Sequence, residues 1–142
     1  MITIDKNDIE GITLLSIEEA RELPRWLLAN GDRWWLRSPS FYRCDADCVN
    51  EDGSVSYAGC LVNYDYCYVR PAIKINARPY LPLMIGEMVL VLGREAQYVG
   101  NGMVLLCESI GHRKFDDNTN NYDTSGIKAA LELWLSGEKS KC

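Results

Sequence analysis

Apolar and polar positions follow one another in short blocks along the chain, and these blocks predict most of the regular elements. Near the N-terminus, an apolar run at 11–15 is followed by Ser16, which stands three residues before Glu19. A serine and a glutamate at this spacing form a capping box, so a helix is predicted from here to about Leu28. Pro24 lies inside that range, where a proline breaks a helix or makes it restart.

The middle of the chain predicts short strands separated by turns. Strands are expected at 34–36, 47–50, 55–57 and 69–75. The sequence Glu51-Asp52-Gly53-Ser54, between the second and the third, is typical of a hairpin turn. From 40 to 68 the chain is rich in small, polar and aromatic residues and has little helical periodicity. A long irregular loop region is therefore predicted there.

The last third of the chain predicts three strands in a meander and then a helix. The strands are expected at 87–92, 95–99 and 103–107, and the Asn101-Gly102 step is a strong signal for a tight turn. Thr124 or Ser125 caps the final helix, which is expected to end at 136–137. One stripe of that helix carries its apolar residues, Ile127, Leu131, Trp134 and Leu135.

These elements together predict an α+β fold with short, mostly antiparallel strands and two helices. The 142 residues suffice for one domain with a single moderate core. Within that domain, residues 11–75 form one half and residues 83–135 the other. The segment 76–82 contains two prolines and is the best candidate for a linker.

Charge and hydropathy exclude several classes of function. With 20 acidic and 15 basic residues the net charge is −5, and no Lys/Arg cluster is present to neutralise phosphates. We therefore expect no nucleic-acid partner. No apolar run approaches the ~20 residues that span a bilayer, and the first residues lack the pattern of a signal peptide. We expect a soluble protein of the cytoplasm or of a phage particle, with no membrane partner.

Four of the six cysteines, Cys44, Cys48, Cys60 and Cys67, fall in the predicted loop region. Without an export signal, a disulfide framework is not the default interpretation. Their spacing also differs from the paired C-x2-C pattern of structural zinc sites. A calcium loop starting at Asp45 fails, because Ser56 stands where the bidentate glutamate belongs. We therefore expect neither a metal nor another cofactor.

Catalytic motifs are hard to find in this sequence. Cys107, His112 and Asp116 include the residue types of a nucleophile arrangement, but only the types are present and no motif supports them. Phosphate-binding loops, nucleophile elbows and metalloprotease helices are absent from the sequence. The expectation is a protein that is not an enzyme, and an enzyme using Cys107 and His112 is the third hypothesis.

Arg37 and Arg70 lie beside strongly apolar strands. As a functional pair they would recognise an anion through the guanidinium fork. As structural residues they would tie loops to the sheet through backbone carbonyls, since a buried arginine must be hydrogen-bonded. The structural interpretation is preferred, and it extends to the neighbouring Trp34 and Trp35.

Three segments of the chain carry a resemblance to a known domain family. They are Trp34-Trp35-Leu36-Arg37-Ser38-Pro39, then Val49-Asn50-Glu51-Asp52-Gly53-Ser54-Val55, then Val69-Arg70-Pro71-Ala72-Ile73. The order resembles an uncharacterised domain family of bacteria and their phages over about residues 11–75. Residues 115–131 resemble the other half of that family, which usually comes first. The resemblance implies a circular permutation or, alternatively, a homo-oligomer completed by domain exchange.

That family resembles C-type-lectin-like folds, some of which serve as variable proteins of diversity-generating retroelements. Such systems mutate adenines in asparagine codons, and the resulting codons exclude Lys, Glu, Gln, Met and Trp. These five types make up 25 of the 142 residues, so a 29-residue window should hold about five of them. The window 40–68 holds only Glu51. The resemblance therefore implies a diversified segment, and it accounts for scattered, unpaired cysteines.

The leading hypothesis is a non-enzymatic module that presents this segment to a protein or glycan. Tyrosine gives a large contact area at little entropic cost, as in antibody loops, although an irregular surface loop with half-buried tyrosines is an equally open interpretation. The candidate ligand-binding residues are Phe41, Tyr42, Arg43, Asp45, Asp47, Tyr57, Asn63, Tyr64, Asp65, Tyr66 and Tyr68. The alternative is a phage or prophage accessory protein that inhibits a host factor through an acidic surface including Asp45, Asp47 and Asp65.

Overall fold

The computed structural model describes residues 1–141, and of Tyr57 it describes only the backbone. Within that range the chain forms nine strands and three α-helices. The strands are β1 (Ile2–Ile4), β2 (Ile9–Thr13), β3 (Trp34–Pro39), β4 (Asp45–Val49), β5 (Val55–Leu61), β6 (Ala72–Ile75), β7 (Met88–Val91), β8 (Arg94–Gly100) and β9 (Met103–Leu106). The helices are α1 (Ile17–Arg21), α2 (Arg25–Leu28) and α3 (Gly126–Lys139).

Six strands form the larger sheet, in the order β1-β7-β8-β9-β6-β2. β1 runs parallel to β7, and the other neighbouring pairs are antiparallel. β2 and β6 come from the first half of the chain and β7–β9 from the second, so both halves contribute to one sheet. The turns between β7, β8 and β9 are tight: Gly93 (φ 72°) and Asn101 (φ 54°) take the left-handed conformation that such turns require.

The smaller sheet is antiparallel and has the order β3-β4-β5. Its register is irregular, because Ala46 pairs with Cys60 whereas Cys48 pairs with Ser56. Gly59 lies in this bulge at φ 72°, and a Cβ atom there would come within 2.8 Å of the Ala46 carbonyl oxygen. Only glycine is therefore tolerated at this point without a shift of the backbone.

The helices begin where the sequence predicts them. Ser16 and Glu19 form both hydrogen bonds of the capping box at α1. Pro24 ends that helical segment and caps α2, so the predicted break is present. Ser125, rather than Thr124, caps α3 through the Lys128 amide. The predicted end of α3 at 136–137 is wrong, because the helix continues to Lys139.

The physical reason for the longer helix lies in Glu138. Its carboxylate accepts a hydrogen bond from Arg94 on β8 and pairs with Lys141. These contacts hold the last turn in place, although a glycine in a helix costs about 1 kcal/mol relative to alanine. Gly137 is thus carried within the helix and does not end it.

The core consists of three apolar clusters. The first packs α1 and α2 against Trp34 and the end of β9. The second surrounds Trp35 and Phe115 beneath the smaller sheet. The third is almost wholly aliphatic and joins the larger sheet to Leu135 of α3. The last two clusters share Ile12 and Ile110 at their edges, so the smaller sheet rests on the same core as the larger one.

The α+β prediction is confirmed, and several elements are corrected. The long irregular loop region expected at 40–68 is wrong for most of 45–61, because β4 and β5 pair there, and three helices in the described residues replace the expected two. β3 and β5 are longer than predicted, whereas the strand expected at 69–75 begins only at Ala72. The sequence pattern did not predict β1, which has three residues. The segment 76–82 holds a short 3-10 turn at Arg78–Tyr80, and the Tyr80 hydroxyl hydrogen-bonds to the Asp5 amide and to Asp8. None of the helices within residues 1–141 has the length and apolarity needed to cross a membrane.

Candidate functional site

Two loops lie side by side at one end of the smaller sheet. The first, residues 40–44, joins β3 to β4, and the second, residues 62–68, follows β5. Asp45 at the start of β4 pairs with Leu61 at the end of β5. The Val62 amide then donates a hydrogen bond of 2.8 Å to the Cys44 carbonyl. The strand pairing therefore brings together residues that are about 20 positions apart in the sequence.

These two loops expose four aromatic rings. Phe41 is 89% exposed and Tyr42 64%, and their ring centroids lie 5.0 Å apart. Tyr64 is 51% exposed and Tyr66 43%, with a centroid distance of 5.7 Å. Both pairs meet edge to face, a favourable aromatic geometry. We call these four residues the aromatic surface.

A third segment, residues 116–120, supports the first loop (residues 40–44). The Asn120 side chain donates hydrogen bonds to the carbonyls of Tyr42 (3.1 Å) and Asp45 (2.9 Å), and the Asn120 amide donates to Arg43. Asp116 organises that segment by accepting from the amides of its own loop and of Gly126. These amide hydrogen bonds, the one from Thr119 foremost, lower the pKa of Asp116.

His112 supports the second loop. Its Nδ1 lies 2.7 Å from the Asp65 carbonyl oxygen, and its ring packs edge to face on Tyr68 at 5.4 Å. Tyr68 is half-buried, and its backbone forms isolated β-bridges with Trp34 and with His112. The sequence prediction placed Tyr68 among the ligand-binding residues, but the structure gives it a position beneath the loop rather than on its outer face.

The remaining candidate residues divide by exposure. Arg43, Asn63 and Asp65 are exposed beside the aromatic surface, and Asp45 is half-buried. Asp47 is only 5% exposed, so the expectation that it is displayed is wrong. β4 is buried on both faces from Ala46 to Val49, and burial raises the pKa of Asp47. The side chain of Tyr57 lies outside the described part of the structure.

Three cysteine thiols meet beneath the same sheet, a feature that the sequence analysis missed. Cys48 on β4, Cys60 on β5 and Cys67 in the second loop place their sulfur atoms within 4.8 Å of one another. The Sγ atoms of Cys48 and Cys60 are 2.9 Å apart, and none of the three residues is more than 3% exposed. We call this group the thiol cluster. Only the concentration of cysteines between 44 and 67 hinted at it, because the bulge and the returning loop decide which side chains converge.

The thiol cluster is electrostatically asymmetric. Hydrogen bonds from Cys48 and Cys67, helped by the Tyr66 hydroxyl and the positive charge of Arg33, lower the pKa of Cys60. The hydrogen bond to Cys60 raises the pKa of Cys48. We expected scattered, unpaired cysteines from the sequence, whereas the structure brings three of them together. Cys44 is exposed, and Cys107 is half-buried beside Met88.

Trp34, Trp35, Arg37 and Arg70 have contacts that suit structural roles. Arg70 is 1% exposed, packs over the Trp34 ring, and donates hydrogen bonds to the carbonyls of Leu27, Leu28 and Leu106. Arg37 donates to the Leu14 carbonyl and to Glu19. The Trp35 ring nitrogen donates to the Arg113 carbonyl. These contacts join both sheets to α1 and α2.

Cys107, His112 and Asp116 each have partners of their own. Cys107 contacts Met88, His112 contacts Asp65 and Tyr68, and the Asp116 carboxylate is occupied by backbone amides. Burial raises the pKa of Cys107, which disfavours its thiolate. In the described structure, no hydrogen bond or ion pair joins any two of these three residues.

Comparisons with known proteins identify the domain but not its function. The sequence model of a domain family matches residues 5–77, and that family is described as a domain of unknown function (DUF6273). The match covers just over half of the 142-residue chain. No curated protein and no solved structure gives a significant match.

Proposed function

The chain belongs to the DUF6273 family, and we propose that it is a non-enzymatic recognition module. Its contact surface is the aromatic surface, with Arg43, Asn63 and Asp65 beside it. The observation that carries this proposal is the exposure of four aromatic rings on two adjoining loops. Exposed aromatic clusters of this kind are typical of interaction sites.

The support beneath the loops strengthens the proposal. Asn120 holds the first loop and His112 the second, each by a hydrogen bond to backbone carbonyls. Loops held in this way lose little conformational entropy when they bind, so more of the contact energy is available for affinity. The target is a protein or a glycan, and aromatic rings serve both kinds of contact.

A C-type-lectin-like fold with a diversified segment is the finer form of this proposal. It is supported by the smaller sheet with its irregular loops and by the near absence of Lys, Glu, Gln, Met and Trp from residues 40–68. The buried residues of that segment limit the positions that can vary without loss of the fold. Variation is expected at 41–45 and 63–66, where side chains are mostly exposed, and not at Asp47 or in the thiol cluster.

The arrangement of the halves is also part of the proposal. The signature segments lie within residues 11–75, and a permuted order explains why the second half follows them. Both halves share the larger sheet in a single chain, which supports a permutation more than domain exchange. Size-exclusion chromatography with light scattering distinguishes them, because domain exchange predicts a stable oligomer and a permutation allows a monomer.

The alternative function, an inhibitor acting through an acidic surface, has less support. Of its three aspartates, Asp47 is buried and Asp45 half-buried, which leaves Asp65 as the exposed member. A single exposed carboxylate provides little electrostatic complementarity to a basic partner. Strong dependence of binding on salt concentration would restore this alternative.

Photo-crosslinking tests the proposed surface directly. A photoreactive phenylalanine analogue is placed at Tyr64 in one protein and, as the control, at Trp26 in another. Trp26 is an aromatic residue outside the two loops and is 65% exposed. Both are irradiated with cell extracts of the source organism and with a glycan array. The proposal predicts one target captured at position 64 and not at 26; capture at 26 alone would contradict it.

The DNA beside the gene tests diversification separately. A near-copy of codons 34–75 next to a reverse transcriptase is expected, differing from the gene only where the copy has adenine. The differences should fall on codons of exposed residues and should spare the codons of Cys48, Cys60 and Cys67. Absence of the copy would leave a recognition module with a fixed surface.

A further inference from the structure

We propose that Cys48, Cys60 and Cys67 bind one zinc ion through their sulfur atoms. The site is independent of the recognition function proposed above. Its ligands come from three separate parts of the fold: two neighbouring strands and the loop that returns after them. A spacing rule based on the linear sequence therefore does not detect it.

The geometry of the thiol cluster is close to that of a zinc site. Zinc–sulfur bonds are about 2.3 Å long, which places two thiolates on a tetrahedral ion about 3.8 Å apart. The three Sγ atoms lie within 4.8 Å of one another, and those of Cys48 and Cys60 are 2.9 Å apart. Side-chain rotations that widen the Cys48–Cys60 pair by somewhat less than 1 Å would bring it to the separation that a zinc ion requires.

The charges around the cluster also suit zinc. Three thiolates and one Zn²⁺ carry a net charge of −1, and Arg33 supplies a nearby positive charge. Arg33 interacts electrostatically with Cys60, Cys48 and Cys67, and also with Glu51. Glu51 pairs with Arg33 from the solvent side, where its side chain is 60% exposed and its charge is screened. A cuprous ion would leave the cluster at −2, so charge balance favours zinc.

Tyr66 has the position of an outer partner of such a site. Its hydroxyl hydrogen-bonds to Cys60. Within the described structure, no fourth histidine, cysteine or carboxylate joins the cluster. A water molecule then completes four-coordination. Hydrogen bonds of this kind orient the ligands of a metal site.

The main competing interpretation is a disulfide between Cys48 and Cys60. A disulfide uses two sulfur atoms and gains nothing from a nearby positive charge. Here a third thiol converges on the pair, the Tyr66 hydroxyl hydrogen-bonds to Cys60, and Arg33 supplies a positive charge nearby. Zinc binding uses all of these features: each thiol gives its proton to solvent as its sulfur lone pair binds the ion, and no oxidant is required.

A bound zinc ion would join β4, β5 and the second loop at one point. Tyr64 and Tyr66 belong to that loop, so the ion would fix half of the aromatic surface to the smaller sheet. The site is therefore structural. Its effect on stability is measured without any ligand for the aromatic surface.

The test uses the full chain, reduced and stripped of metal. Zn²⁺ is titrated against a chromophoric chelator, and Co²⁺ serves as a spectroscopic probe of the ligands. The proposal predicts one ion per chain, a sulfur-to-cobalt charge-transfer band and a higher melting temperature with zinc. Each of Cys48→Ser, Cys60→Ser and Cys67→Ser should weaken binding more than about 100-fold, beyond the 10–100-fold effect of losing an outer partner.

Cys44→Ser and Cys107→Ser are the matched controls, and zinc affinity should not change in either. The wild-type titration decides the question even if a cluster variant fails to fold. Lack of a charge-transfer band in the reduced wild-type protein would overturn the proposal. So would binding of Cu⁺ without Zn²⁺, or a Cys48–Cys60 disulfide in the protein as isolated, seen as two thiols that resist alkylation until reduction.

Discussion

The two sheets of this molecule have different kinds of interior. The larger sheet is filled by aliphatic side chains such as Val89, Val91 and Val104, and its central strands are joined by tight turns. The smaller sheet covers two tryptophans, three thiols and the buried carboxylate of Asp47. The larger sheet is a packed frame. The smaller sheet and its loops hold the thiols, the buried carboxylate and the exposed aromatic rings.

This difference shows which part of the molecule tolerates change. The stability of an aliphatic interior depends on how fully its side chains fill the space, so truncating a large side chain there lowers the free energy of unfolding. Loops whose side chains face solvent contribute little to stability. Recognition and stability are therefore assigned to different regions, and five variants test that separation.

The largest effect is expected at Arg70, which connects the two regions. Arg70→Met leaves the carbonyls of Leu27, Leu28 and Leu106 without their charged donor. Unfolding free energy should fall by at least about 3 kcal/mol. Urea denaturation measures it, with Arg37→Met as the more exposed control. A loss below about 1 kcal/mol would show that these carbonyls find other partners.

Ile73→Ala tests the packed frame. Ile73 lies on β6, which pairs with β9 and β2 in the larger sheet, and is fully buried. A buried isoleucine truncated to alanine costs about 2–5 kcal/mol. Cys107→Ala, at a half-buried position, is the control and should cost much less. If the two variants lost equal stability, the larger sheet would not be the rigid part.

Asp47→Asn tests the buried carboxylate of the smaller sheet. Burial raises the folded-state pKa of this acid, so native protein binds its proton more tightly than unfolded chain does. The protonated carboxyl therefore contributes stability below its unfolded-state pKa, and this contribution is lost as the pH rises to the folded-state pKa. The asparagine variant should gain on the order of 1 kcal/mol at neutral pH, and the gain should shrink in acid. A loss that grows with pH would contradict this sign.

Asn120→Ala tests the support beneath the first loop. It removes two side-chain hydrogen bonds, to Tyr42 and Asp45, at a cost of about 1 kcal/mol. Amide hydrogen exchange should accelerate at 41–45 and stay unchanged at 103–106. The neighbouring Asn118→Ala is the control. Equal acceleration in both variants would mean that Asn120 does not hold the loop.

The smallest effect is expected on the aromatic surface. Phe41→Ser should change the unfolding free energy by no more than about 0.5 kcal/mol, because the ring is almost wholly exposed. Phe115→Ser is the contrasting variant, since Phe115 is fully buried against Trp35. Thermal denaturation of the two proteins side by side gives the comparison.

Much of the frame follows from local signals in the sequence. The capping box at Ser16, the break at Pro24 and the Asn101-Gly102 turn each act over a few residues, so the pattern predicts them. β1 escaped prediction because three residues show no periodicity. Its parallel pairing with β7 joins positions almost 90 apart, which only the folded chain establishes.

The candidate site was predicted in part for the same reason. Composition pointed to residues 40–68, and the exposed positions of Phe41, Tyr42 and Tyr64 agree with a displayed segment. The convergence of three thiols was not predictable, because it depends on the bulge at Gly59 and on the path of the second loop. The burial of Asp47 was not predictable either, because Asp47 interacts with Arg21 and Glu18 of α1, far away in the sequence. Asn120 was missed because its contacts are with backbone carbonyls far along the chain.

The most direct test replaces the three most exposed rings of the aromatic surface at once, Phe41, Tyr42 and Tyr64 to serine, and keeps Tyr66, whose hydroxyl hydrogen-bonds to Cys60. Unfolding free energy and binding of the crosslinked target are measured on this variant and on Trp26→Ser. We predict that the three-residue variant keeps an unfolding free energy within about 1 kcal/mol of wild type and that it alone loses binding. Retained binding, or loss of binding in Trp26→Ser alone, would contradict this prediction.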